Sequence, residues 1–282
     1  MVVLTLLAVY LVWGSTYLAM RVALQGFPPF IMAGARFVVA GGALFLYLRA
    51  RGAPLPGRRS ISSAVLVGAL LLVGGNGGVA LAEQHVASGL AALGVATVPL
   101  WAVLFAGLWR QWPRRQEWAG LALGFAGIVL FNVQGDMRAA PAGALALLVA
   151  AASWALGSVW SRHLTLPEGM MGTAVEMLGG GALLLLCAAI FGERMPGVPS
   201  GAAVGALLYL IVFGSLVAFS SYTYLLRRAP PALATSYAYV NPLVAVGLGA
   251  TLAGERVTLA EALAMPVILA GVGLVALGRE RT

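Results

Sequence analysis

Residues 202–226 read AAVGALLYLIVFGSLVAFSSYTYLL, twenty-five positions without one Asp, Glu, Lys or Arg. As a helix, such a run rises about 37 Å, more than the ~30 Å hydrocarbon core of a bilayer. Its length and its lack of period-2 alternation argue against a strand. Nine similar runs, separated by Gly, Pro and Arg, predict an all-α polytopic membrane protein with ten spans. The first five lie near residues 2–24, 28–48, 61–82, 88–108 and 116–133. The second five lie near 141–161, 169–191, 202–226, 231–253 and 259–277.

Composition points the same way. Charged residues make up 9% of the 282 positions and hydrophobic ones 61%, whereas a soluble domain carries roughly 25% charge. Such a chain cannot cover its surface with charge, and it is too apolar to stay disordered. All 17 basic residues are Arg, and the net charge is +8. These arginines sit at span ends, which argues for membrane topology and against nucleic acid as a partner. With the N-terminus placed in the cytoplasm, twelve arginines fall in inside connections and four in outside ones. Both termini are therefore expected on the cytoplasmic side of the membrane. The opening Met1-Val2-Val3-Leu4 reads as the first span and not as a cleaved signal. Cys187 reads as an inert buried thiol.

The chain also repeats. Trp13 and Trp154 are 141 positions apart, as are Arg21 and Arg162; Pro99 and Pro242 are 143 apart, and Glu117 and Glu261 are 144 apart. The repeats are expected at 1–135 and 139–279. Five spans per copy is an odd number, so the second copy must enter the membrane upside down. Inverted repeats of this kind rock against each other around a midplane site, which is alternating-access transport.

Several motifs then resemble the EamA family of the drug/metabolite transporter superfamily. They include Val12-Trp13-Gly14-Ser15-Thr16-Tyr17, Ala33-Gly34-Ala35-Arg36-Phe37, Gly75-Asn76-Gly77 and Ala82-Glu83-Gln84. In the second half they are Ser153-Trp154-Ala155, Glu176-Met177-Leu178, and Ala234 through Pro242. The resemblance implies a bacterial inner membrane, ten helices, two repeats and export of small metabolites or drugs; better-studied relatives export amino acids. One departure is visible: Gly254-Glu255 closes a helix in the second half where the first has Gln111-Trp112-Pro113, which puts symmetric gating in doubt. Small multidrug relatives couple protons through a Glu in their first helix. Neither the first nor the sixth span here contains an acidic residue, so that mechanism does not carry over.

An ionisable group inside a span costs roughly 2.5–3.5 kcal/mol at the centre and is a functional candidate by default. Arg36 and Glu176 are two such groups. They are expected either to pair across the repeat interface or to face the cavity, where substrate charge recognition or proton linkage would use them. Trp13, Tyr17, Trp101, Trp154, Tyr237 and Tyr239 are candidate walls of an amphipathic cavity, since Trp and Tyr join an apolar body to a polar handle. Asn76, flanked by glycines that permit a helix break, and Asn241 complete the candidate substrate-binding set. Pro99 and Pro242 would kink their spans and, with Glu83 at the outer end of the third span, would form gates. Glu83, Gln84 and His85 read alternatively as a solvated loop. No metal-ligand spacing and no nucleotide-binding loop is present. The expected partners are a small-molecule substrate, the lipid bilayer and, depending on coupling, protons; no cofactor and no enzymatic activity are expected, and the chain is expected to act as a monomer. The competing class is a non-transporting receptor or scaffold, which would need longer loops.

Overall fold

The computed structural model describes residues 2–86, 88–110, 112, 115–134, 141–228, 237–252, 257 and 259–279. Backbone groups in hydrocarbon have no water to bond, so an apolar chain must satisfy them internally. Helices do this here, and no strand occurs among the described residues. The helices are α1 (Val2–Ala23), α2 (Pro29–Ala50), α3 (Arg58–Ala82), α4 (Ser88–Val95), α5 (Val98–Trp109) and α6 (Arg115–Gln134). They continue with α7 (Pro141–His163), α8 (Gly169–Ile190), α9 (Gly201–Arg228), α10 (Tyr237–Leu252) and α11 (Leu259–Arg279). Among the described residues, α1, α2, α3, α7, α8 and α9 are long and apolar enough to cross a bilayer. The expected fourth span is divided: α4 ends before Ala96-Thr97, and Pro99 sits in the first turn of α5, where its missing N–H costs nothing.

Apolar side chains cover the outside as well as filling the core. Leu4, Leu11, Leu46, Leu186, Ile190 and Leu208 are exposed, while Arg36, Glu83, Glu176, Ser215 and Asn241 are buried. An apolar exterior of this extent suits lipid.

Two of these helices, α2 and α8, are built alike. Helices α2 and α8 each have 22 residues. Each ends on a glycine with positive φ, Gly52 at 83° and Gly192 at 68°. The following amides reach back in the same pattern: Ala53 N–H donates to the Leu48 carbonyl, and Glu193 N–H to that of Ala188. This closure satisfies carbonyls that the helix end would leave bare, and only glycine takes the left-handed position cheaply. The two helices pack antiparallel: Gly34 lies against Leu185, Gly41 against Met177 and Leu178, and Gly181 against Phe37 and Val38. Helices α6 and α11 do the same, with Gly127 against Ile268 and Gly271 against Gly124. Small residues at these crossings let the backbones approach.

The remaining long helices cross-pair between the halves. Helix α1 packs antiparallel on α9, and α7 antiparallel on α3, the latter running from Gly143 beside Ala82 to Gly157 beside Leu71. A carboxylate from the second half caps a helix of the first: Glu193 accepts from the Phe30 and Ile31 amides at 3.1 and 2.9 Å. Acidic groups at a helix N-terminus satisfy free N–H groups and complement the dipole. Replacing Glu193 with Ala should therefore lower unfolding free energy by about 1 kcal/mol, read as a lower melting temperature of the detergent-purified protein; an unchanged melt contradicts the cap.

Candidate functional site

Three helices depart from α geometry where they approach the centre. Val9–Trp13 in α1, Ala69–Gly77 in α3 and Leu210–Phe219 in α9 are π-helical. The last two begin 141 positions apart, matching the Trp13–Trp154 offset. Widened turns expose backbone carbonyls to side-chain donors and recur at functional sites. Here Ser153 donates to the Leu70 carbonyl at 2.7 Å, and the Trp13 indole N–H donates to that of Gly214 at 3.2 Å. The Gly-flanked Asn76 thus stands in a π segment, the departure from regular helix that its glycines allowed.

The π segments of α1 and α3 contribute Trp13, Gly75 and Asn76 to the wall of a central chamber of about 50 Å³. Of the candidates read from sequence, Trp13, Tyr17, Arg36, Asn76, Trp154 and Tyr237 line it, together with Thr16 and Met20. The two Trp residues at equal repeat positions meet edge to face, with ring centroids 5.4 Å apart. Tyr237 packs on Trp13 at 4.9 Å, and Tyr222 lies 5.0 Å from Trp13 and 5.5 Å from Trp154. The Tyr222 hydroxyl bonds Ser158 at 2.8 Å and accepts from the Trp154 indole at 3.3 Å. Gly75 makes room for this cluster, because a Cβ there would lie 2.7 Å from Cε3 of Trp154.

Arg36 enters the chamber from α2, 2% exposed. Its Nε donates to the Ser215 Oγ at 2.7 Å, and its Nη1 is buried without a hydrogen-bond partner. The Glu83 carboxylate acts on it electrostatically. Glu83 is itself buried at the end of α3, whereas Gln84 and His85 are exposed, so the solvated-loop reading holds for the latter two only. Buried Asn76 Oδ1 has no partner either. Asn241 stands behind the chamber: with its amide turned to suit its neighbours, Nδ2 donates to the carbonyls of Tyr10 and Tyr237 at 3.2 Å each, and it lies within reach of the Tyr17 hydroxyl.

Glu176 is not beside Arg36. It borders a second cavity of about 480 Å³ at the ends of α7 and α9, with Arg162, Glu168, Thr223 and Arg227. Its Oε2 is buried and without a partner. Arg227 acts on it electrostatically while donating to the carbonyls of Gly169 and Pro167 at 2.9 and 3.3 Å. Trp13 and Trp154 of the aromatic cluster border the first cavity, while Leu71 and Thr223, the latter adjoining Tyr222 in the chain, border the second.

Trp101 stacks on Phe105 at 6.1 Å, outside the chamber lining. The side chains of Tyr239 and Pro242, and all of residues 229–236 and 253–256, lie outside the described residues. Reading the sequence by charge and aromatics missed Tyr222, Ser158, Thr16 and Ser215. The signal for Tyr222 was the run Ser220-Ser221-Tyr222-Thr223, four hydroxyls inside a span.

The EamA-like transporter family matches residues 1–133 and 141–277. The inner membrane transporter YedA of Escherichia coli K12 is 47% identical over 275 residues, covering 97% of this chain and 90% of the relative. A protein named "Probable terminal-alkyne amino-acid exporter" in Streptantibioticus cattleyicolor is 26% identical, covering 86% of this chain and 82% of that one. One solved crystal structure superposes with a TM-score of 0.72 at 23% identity over 99% of both chains, which speaks for the fold alone.

The close passage of Gly75 by Trp154 can be tested by a double-mutant cycle. Gly75→Val should cost about 1–3 kcal/mol by overpacking, and most of that cost should vanish in a Trp154→Ala background. Additive losses contradict the contact.

Proposed function

This chain belongs to the EamA-like transporter family, and from that premise we propose that it is a secondary transporter that exports small metabolites by alternating access. The observation that carries this reading is the central chamber between the two halves, walled by Trp13, Tyr17 and Asn76 from one and by Trp154 and Tyr237 from the other. Solute sites typically enclose ~300–1,000 Å³. A chamber of about 50 Å³ has room for a few waters. A solute therefore requires the halves to part, and the halves are joined by helix crossings between packed faces that can slide.

Two features support an inverted-repeat mechanism. Equivalent helices α2 and α8 run antiparallel, as do α6 and α11, and the pairing of α1 with α9 recurs as α7 with α3. A twofold axis in the membrane plane generates this pattern, and rocking about it would open the chamber to each side in turn. In this proposal the aromatic cluster is the barrier between the chamber and the larger cavity that Glu176 borders. On this reading the larger cavity is the cytoplasmic vestibule of an inner-membrane protein whose termini are cytoplasmic, and Tyr222, tied to Ser158, is part of the barrier that solutes cross. Trp13, Trp154 and Tyr237 contact the solute body, Arg36 and Asn76 its polar groups, and Asn241 positions Tyr237 from behind. The break before Pro99 gives the outer half a hinge.

Proteoliposome counterflow with a panel of amino acids and lipophilic cations, with and without a pH gradient, tests this. Saturable flux of at least one solute is expected, falling at least about tenfold in Trp154→Ala, a loss equivalent to ~1.4 kcal/mol. Absence of flux for every solute in both conditions contradicts the proposal.

A further inference from the structure

We propose that the central chamber takes its solute by an acid group, held on Nη1 of Arg36. The inference rests on the transport-site reading above and adds the chemical class. Arg36 is fixed on one edge: Nε is bonded to Ser215, and Gly214 is so close that a Cβ there would lie 2.7 Å from Nη2. That leaves Nη1, buried and without a partner, in a residue that lines the chamber. A buried donor on a charged group left unbonded costs more than an ordinary missed hydrogen bond, and a carboxylate oxygen is the acceptor that repays it best. Among the described residues the chamber lining carries no carboxylate, since Glu176 borders the other cavity.

A second orphan lies on the same wall system. The Asn76 Oδ1 accepts hydrogen bonds only, so it suits an N–H or O–H near the solute's acid group. Apart from Thr16, the rest of the lining is apolar or aromatic: Trp13, Trp154, Val79 and Val98 receive a hydrocarbon body. The Arg36 charge sets the sign of the selection. Glu83 acts on Arg36 electrostatically but is not part of the chamber lining, so a lipophilic cation would face the guanidinium directly, whereas an organic acid meets its counter-charge on the wall.

The test is a ligand series with one body and varied ends, measured by calorimetry on the full chain in nanodiscs: leucine, 4-methylpentanoate, leucinamide and leucinol. The two ligands that keep the carboxylate should bind at least about tenfold more tightly than the two that lack it. Arg36→Gln should erase that ratio, and Arg36→Lys, which keeps the charge, should restore part of it. The comparison within the wild-type protein decides even if a variant fails to fold. Equal or tighter binding of leucinamide or leucinol overturns the assignment while leaving the chamber a solute site. Binding by none of the four, with no liposome flux, overturns the transport-site reading itself.

Discussion

Hydrocarbon offers no hydrogen bonds, and almost every feature of this protein follows from that. The backbone must close its own bonds, so the chain is helical. Polar side chains must find partners inside, so Arg36, Ser215, Asn241, Tyr222 and Ser158 gather between the helices, while the exposed surface carries Leu4, Leu11, Leu46, Leu186 and Leu208. Helix ends need caps made from the chain: Gly52 and Gly192 fold the last turns back on themselves, and Glu193 supplies the two acceptors at the start of α2. Without a hydrophobic drive between helices in lipid, close packing at glycines must hold them, and the Gly41, Gly68, Gly180 and Gly181 crossings provide it.

The same constraint shapes the centre. A π segment widens a helix and loosens its carbonyls, which is tolerable in a membrane only where side chains take them up. Ser153 and Trp13 do so here, and they bind a helix of each half to the π segment of a helix in the other. The interface between halves is therefore made of specific polar ties on an otherwise slippery apolar surface. The aromatic cluster that fills the middle is held by the Trp13–Gly214, Trp154–Tyr222 and Tyr222–Ser158 hydrogen bonds, so any turning of its rings must exchange those bonds.

Much of this was legible in the sequence, for definable reasons. Long uncharged runs located the six long spans to within a few residues, because span length is set by the bilayer. Trp13, Arg36, Asn76, Trp154 and Tyr237 were singled out as costly or amphipathic groups in a span, and the structure brings them to one chamber. Other contacts depend on how helices rotate about their axes, which periodicity leaves open in helices that are apolar all round. That is why Arg36 and Glu176, similar in depth, could be read as partners although they face different cavities, and why Trp101 could be read as a wall of the chamber. Glu83 misled for a different reason: a turn at a span end is usually wet, but this carboxylate folds inward toward Arg36. The break at Ala96-Thr97 was foreshadowed by Pro99, though as a kink and not as two helices.

The central claim is that one chamber between the halves opens to each side of the membrane in turn. Thr16 lines it and is 6% exposed. A Thr16→Cys variant with Cys187 changed to Ser carries one thiol, and its reaction with a membrane-impermeant maleimide can be followed from each face of oriented vesicles. Slow labelling from both faces, blocked by transported solute, is the result the account predicts. Labelling from one face alone, or equally fast labelling from both at once as in an open pore, would contradict it.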